Sequence, residues 1–200
     1  MKNSKKELFA HLKLVLLGES SVGKSSILTR FTTGRFLKND ATIGAAFTSK
    51  SVTYETPTEI KTISFEIWDT AGQERYRSLA PLYYRNTDVA LIVFDVTVKE
   101  TLTKAESWIH ELKEHMSDES RDEPHIIVVG NKTDLLAQPM SYNESYALVS
   151  AKSGEGIESL FTSIVEAIPP TKFVEENDLG SKKSKVDLRR KESRNQSCSC

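Results

Sequence analysis

Cysteine is almost missing from this chain: the only two, Cys198 and Cys200, fall in its last three residues. A body without thiols excludes a structural disulfide there, and a bridge across Cys-Ser-Cys would close too small a loop to constrain anything. Long apolar runs are missing too. The longest near the start, "LKLVLLG", is too short for a membrane span or a signal peptide and carries no cleavage-like site, which predicts a protein made and kept in the cytosol. Net charge is small, −1 overall, but unevenly placed. From Ser181 to Cys200 seven basic residues face only Asp187 and Glu192, so that stretch carries +5 and the first 180 residues −6. An acidic body argues against nucleic-acid binding, and a basic tail argues for an anionic surface. Two hundred residues suffice for one domain and a tail, and no internal repeat is visible.

What is present alternates. The strand-like runs "LKLVLLG", "ISFEIWD", "ALIVFDV", "HIIVVGN" and the weaker "YALVS" are separated by segments of helical period, the pattern of an α/β domain with a mainly parallel sheet. Ala105, Trp108, Ile109, Leu112 and Met116 form one core-facing stripe, and Ile157, Leu160, Phe161, Ile164 and Val165 another. "AFTSKSVTYE" and "EIKTISFEIWD" are joined by "TPT" alone, which predicts an antiparallel hairpin. The last helix stops at Pro169-Pro170, and the polar, aperiodic chain beyond it reads as disordered.

Three stretches carry chemistry. "GESSVGKSS" fits G-x-x-x-x-G-K-[ST] between a strand and a helix. Gly18 and Gly23 free the backbone so that N–H groups from Ser20, Ser21, Val22, Gly23, Lys24, Ser25 and Ser26 can wrap phosphate oxygens at a helix start. Lys24 can neutralise the terminal phosphates and the Ser25 hydroxyl can ligate Mg²⁺. The loop alone leaves ATP and GTP open. "NKTD" follows the strand "HIIVVG", where open α/β folds bind ligands. There Asp134 can accept from guanine N1–H and the 2-amino group, which adenine lacks, while Asn131 ties loops together and the Lys132 stem lies along the ring. In "SAK" (Ser150, Ala151, Lys152) the Ala151 N–H can donate to the guanine oxygen. "WDTAGQE" offers Asp69 for Mg²⁺ through water, the Gly72 N–H for a γ-phosphate, and Gln73 to orient an attacking water. Each short stretch alone is also readable as a surface turn.

Together with "TIGAAF" and "WDTAGQERYRSLAPLYYR", these motifs resemble the Ras superfamily of small GTPases, specifically the Rab family, across about residues 12 to 168. "TIGAAF" and "RSLAPLYYR" resemble its early-endosomal subgroup. The resemblance implies a mostly parallel six-stranded sheet with five helices on both faces, a GTP/GDP switch with Mg²⁺, and Thr42 as the threonine that meets Mg²⁺ and the γ-phosphate. It implies Phe36 over the guanine edge, and Phe47, Trp68 and Tyr83 as an effector patch, though core aromatics would read the same from sequence. Ser20 stands where Ras itself has glycine. The resemblance also implies geranylgeranyl groups on Cys198 and Cys200, since paired lipids anchor stably where one does not. The implied partners are guanine nucleotide, effectors at the switch regions, an exchange factor, a GTPase-activating protein, a GDP-dissociation inhibitor and prenylation machinery, with no nucleic acid. The implied state is a monomer on the cytoplasmic face of endosomal or vacuolar membranes with a cytosolic pool, acting in vesicle-mediated transport.

The expected layout is an N-terminal extension at 1–11, the GTPase domain at 12–169, and a tail at 170–200. Three departures from the family pattern stand out. The chain from Phe36 to Thr42 is one residue shorter than the family pattern, and the hairpin is about four residues longer, as an extension at its tip. Only "LLAQPMSYNESYALV" joins Asp134 to Ser150, so the helix usual there is expected to be reduced or missing. Two alternatives stay open. One is a nucleotide-loaded interaction module with little hydrolysis; the other, a phosphate-loop kinase or ATPase, is disfavoured by "NKTD".

Overall fold

The computed structural model describes residues 5–37, 40–73, 75–76, 80–116, 123–137 and 144–175. Its centre is β1 (Lys6–Leu17), whose last six residues include five that are fully or nearly fully buried. It pairs in parallel with β3 (Glu59–Thr70) on one side and β4 (Val89–Asp95) on the other. β4 pairs in parallel with β5 (His125–Asn131), and β5 with β6 (Ala147–Leu148). β2 (Ala45–Glu55) closes the far edge, giving the order β2-β3-β1-β4-β5-β6. Every residue of β4 is buried, as expected of a parallel strand covered on both faces.

The helices supply those covers. α1 (Lys24–Thr33) and α4 (Ile157–Glu166) pack one face, with Ile27, Leu160, Phe161 and Ile164 meeting Leu14, Leu16, Phe65 and Ile67. The other face takes α2 (Ala80–Tyr84) and α3 (Lys99–Met116), where Ala105, Trp108 and Leu112 meet Val15, Leu17, Ile92 and Phe94. Trp108 is therefore a core residue. Glu100 in the first turn of α3 and Lys113 and His115 in its last suit the helix dipole.

The predicted hairpin is present: β2 and β3 run antiparallel from Ala45↔Thr70 to Glu55↔Ile60 around residues 56–58. Its length changes the ends of the domain. Residues 6–11, expected as an extension ahead of it, continue β1 along the lengthened hairpin, with Lys6 opposite Glu59. At the other end, Pro170–Lys172 form a 3₁₀ turn and β7 (Val174–Glu175) pairs antiparallel with Leu8 and Phe9. The sheet thus gains a seventh, two-residue strand, and the tail expected from 170 begins with structure. Phe173, packed against the core, gives the apolar reason. Residues 176–200, including the lipidation cysteines Cys198 and Cys200, lie outside the described residues.

Four α-helices are present among the described residues, and none lies between β5 and β6. There the chain has a 3₁₀ turn at Thr133–Leu135 and then the short β6; residues 138–143 lie outside the described residues. No described helix is long and apolar enough to cross a membrane.

Candidate nucleotide site

The C-terminal ends of β3 and β5 and the loop that follows β1 open onto one cleft of about 580 Å³. Ser20, Ser21, Gly23, Lys24, Ser25 and Ser26 form its floor, with Phe36, Thr42, Gly72 and Gln73 on one side and Asn131, Lys132, Asp134, Ala151 and Lys152 on the other. Val22 and Ser150 do not line it. The Val22 side chain is buried in the core, and Ser150 is fully buried behind the acid it supports.

The floor is close-fitting. Gly23 has φ 99°, and a Cβ there would lie 2.2 Å from Asn131 Nδ2, so only glycine serves. Gly72 is held as tightly: an added Cβ would lie 2.4 Å from the carbonyl of Glu19, which locks the start of the "AGQ" turn against the phosphate loop. Lys24 is buried and donates from Nζ to Gly18 O at 2.7 Å and Glu19 O at 2.8 Å. Burial pulls its ammonium down to about 8, although Asp69 and Glu19 both oppose the shift. A cation held this way gains from an anion placed beside it.

Beside Lys24 three oxygens converge. Ser25 Oγ donates to Asp69 Oδ2 at 2.6 Å, and Thr42 Oγ1 lies 2.9 Å from Ser25 Oγ and 3.2 Å from Asp69 Oδ2. Burial pushes the Asp69 carboxyl up, against the Ser25 hydroxyl, the Lys24 charge and the Thr42 hydroxyl. Its other oxygen, Oδ1, is buried with no hydrogen-bond partner. A carboxylate with an orphaned oxygen and two hydroxyls suits a hard divalent cation. Among the described residues no cluster of three His, Cys, Asp or Glu crowds this corner, which leaves room for phosphate oxygens or water in the shell. That is the usual habit of Mg²⁺ rather than Ca²⁺. The residues present fit Mg²⁺.

The opposite wall is braced by Asn131, whose Nδ2 donates to Val22 O at 2.9 Å and whose Oδ1 accepts from Ala151 N–H at 3.1 Å. This joins the phosphate loop to the "SAK" turn. It also occupies the N–H expected at a guanine oxygen, so a base has to share that donor. Asp134 Oδ1 accepts from Ser150 Oγ at 2.6 Å, and Oδ2 is 3.6 Å from Lys152 Nζ. Lys132 adopts φ 72°, and its Nζ pairs with Asp95 Oδ2 at 2.6 Å, which stretches the stem along this wall. Burial works against the Asp95 charge, but hydrogen bonds from Lys132 and Thr97 overcome it and hold the carboxyl below its usual range.

Sequence reasoning missed Asp95 and Glu19. The signal for Asp95 was available, since an acid ends the apolar run "ALIVFDV" at the ligand-binding edge. Glu19 had no such signal: its carbonyl holds Lys24 and its carboxylate meets Lys104 of α3 at 3.0 Å, 85 positions away.

Phe47, Trp68 and Tyr83 are brought together. Phe47 and Trp68 are directly paired across β2 and β3 with ring centroids 5.3 Å apart, and Tyr83 lies 5.5 Å from Trp68. Phe47 is 55% exposed, while Trp68 and Tyr83 lean on the α3 side of the core, so the cluster is part core and part surface.

A doubly covered sheet with a phosphate loop at the centre of its C-terminal edge defines a nucleotide-binding α/β protein. Comparison with known proteins sharpens this. The model of the Ras family matches residues 13–170. The GTP-binding protein YPT52 of Saccharomyces cerevisiae is 42% identical, across 78% of this chain and 81% of its own. The GTP-binding protein YPT53 of the same yeast is 44% identical, across 79% and 76%. The GTP-binding protein ypt5 of Schizosaccharomyces pombe is 43% identical, across 78% and 77%. The chain belongs to the Ras family of small GTPases, in its Rab branch. It is a GTPase and binds guanine nucleotides.

Proposed function

We propose that this GTPase is a membrane-attached switch that recruits effectors in vesicle-mediated transport, on endosomal or vacuolar membranes. One observation carries the reading: the chemical corner and the aromatic patch share two strand ends. Asp69 follows Trp68 on β3, and Thr42 lies a few residues before Phe47 on β2, with the Ala71 N–H donating to Gly44 O at 2.8 Å between them. Whatever orders Thr42 and Asp69 also sets the patch.

In this reading the N–H groups of residues 20–26 and Gly72 hold the phosphates, and Lys24 neutralises their terminal charge. Ser25 and Thr42 directly, and Asp69 through water, would hold Mg²⁺, which would supply further neutralisation of the phosphate charge. Gln73, on the cleft wall, orients the water, and Phe36 covers the base that Asp134 recognises. Without an activating protein turnover is slow; a charge inserted from such a partner adds roughly 10³–10⁵-fold. Phe47, Trp68 and Tyr83 meet effectors. Cys198 and Cys200 carry geranylgeranyl groups, and each basic residue near the leaflet adds about 1 kcal/mol. Exchange factor, GDP-dissociation inhibitor and prenylation machinery follow from the family.

Single-turnover hydrolysis of GTP by wild type and Gln73→Leu tests the core of this. Slow wild-type turnover that the variant loses is the expected result. Tight GTP binding without Gln73-dependent turnover would give instead a loaded interaction module timed by exchange.

A further inference from the structure

We infer that Arg30, on the outer end of α1, is the positioning residue for the guanine-recognising acid; this rests on the role of Asp134 proposed above. No motif includes Arg30. Its guanidinium nevertheless serves three carbonyls on two loops. Nε donates to Ala151 O at 2.8 Å, Nη2 donates to Lys152 O, and Nη1 donates to Gly34 O at 2.6 Å.

The consequence runs through peptide geometry. In a trans peptide the N–H points opposite to the C=O. Turning the Lys152 carbonyl toward α1 therefore turns the Ser153 N–H away, and it donates to Ser150 Oγ at 3.0 Å. With that acceptor site filled, the Ser150 hydroxyl donates to Asp134 Oδ1 at 2.6 Å. Ser150 is fully buried, so no water can replace either partner. Arg30 thus sets the orientation of the Asp134 carboxylate from the far side of the "SAK" turn. Its third contact, Gly34, lies two residues before Phe36, so one side chain fixes the loops on both sides of the base. Arginine is needed because its planar fork can serve several carbonyls at once, whereas a lysine ammonium holds no such fixed directions.

The discriminating readout is the preference for GDP over inosine diphosphate, which lacks the 2-amino group. A well-aimed Asp134 accepts two hydrogen bonds from guanine and one from inosine. Both diphosphates are competed against a fluorescent GDP on the full chain, for wild type, Arg30→Ala and Arg30→Lys. The expected result is that the preference falls about tenfold in Arg30→Ala, the size of one lost hydrogen bond to a charged group, with Arg30→Lys between. Equal weakening of both diphosphates, or no change in either, would make Arg30 a plain strut and overturn the inference. If Arg30→Ala binds too weakly to measure, the same ratio in Arg30→Lys decides. A wild type that does not prefer GDP would overturn the role of Asp134 itself, and the inference with it.

Discussion

At the scale of single residues, the buried Lys24 is the most informative group. Its ammonium sits near 8 in the free protein because burial disfavours the charge. A phosphate alongside favours that charge, so the bound state keeps its proton to higher pH. Binding is therefore strongest below about pH 8 and takes up a proton above it. GDP affinity should fall about tenfold between roughly pH 7 and pH 9. Titration calorimetry in buffers of different ionisation enthalpy checks both the affinity and the proton; a flat profile without proton uptake would refute the assignment. Most of the residues that line the cleft were legible from sequence because their chemistry is concentrated in short motifs at strand ends. Their supports were not. Arg30 reaches Ala151 across 121 positions and Lys104 reaches Glu19 across 85, and neither spacing leaves a local pattern.

At the scale of elements, hydrophobic period did its work where elements are long. The stripe of α4 and the alternation of the hairpin were readable because several turns or pairs repeat the signal. β6, two residues inside the weaker run "YALVS", gave a faint signal, and β7, also two residues, repeats nothing and owes its place to neighbours. The end of β3 supplies an element-scale prediction. Trp68 lies in the aromatic cluster beside Asp69, while Trp108 is buried on the sheet-facing side of α3. Exchange of GDP for a non-hydrolysable GTP analogue with Mg²⁺ should change tryptophan emission. The change should vanish in Trp68→Phe and persist in Trp108→Phe; the reverse pattern would separate the patch from the switch.

At the scale of the whole molecule, the cleft lies where loops from both halves of the sheet meet. A ligand there cross-links the phosphate loop, the Thr42 segment, the "NKTD" turn and the "SAK" turn. Stability should accordingly depend on what is bound. At a hundredfold excess over Kd, GDP should add about 2.7 kcal/mol, or roughly 5–10 °C in Tm for a chain of this size. Thermal melts of stripped and GDP-loaded protein test this, and coincident curves would contradict it. No helix is described between β5 and β6, and the cleft walls are in place without one. Asn131, Asp134 and Ala151 are held by Val22, Ser150 and each other, none of them in the shortened stretch.

The hairpin register has a last consequence, for where the chain can change length. β2 and β3 are paired without a break from Ala45↔Thr70 to Glu55↔Ile60. Because strand side chains alternate, a single residue gained or lost between Ala45 and Phe47 would turn Phe47 to the opposite face from Trp68. The same change at residues 56–58 leaves every pair nearer the nucleotide untouched. One end of this ribbon is closed to insertion and the other is open to it. The tip is where a reporter peptide could be grafted with the cleft and the aromatic cluster left as they are.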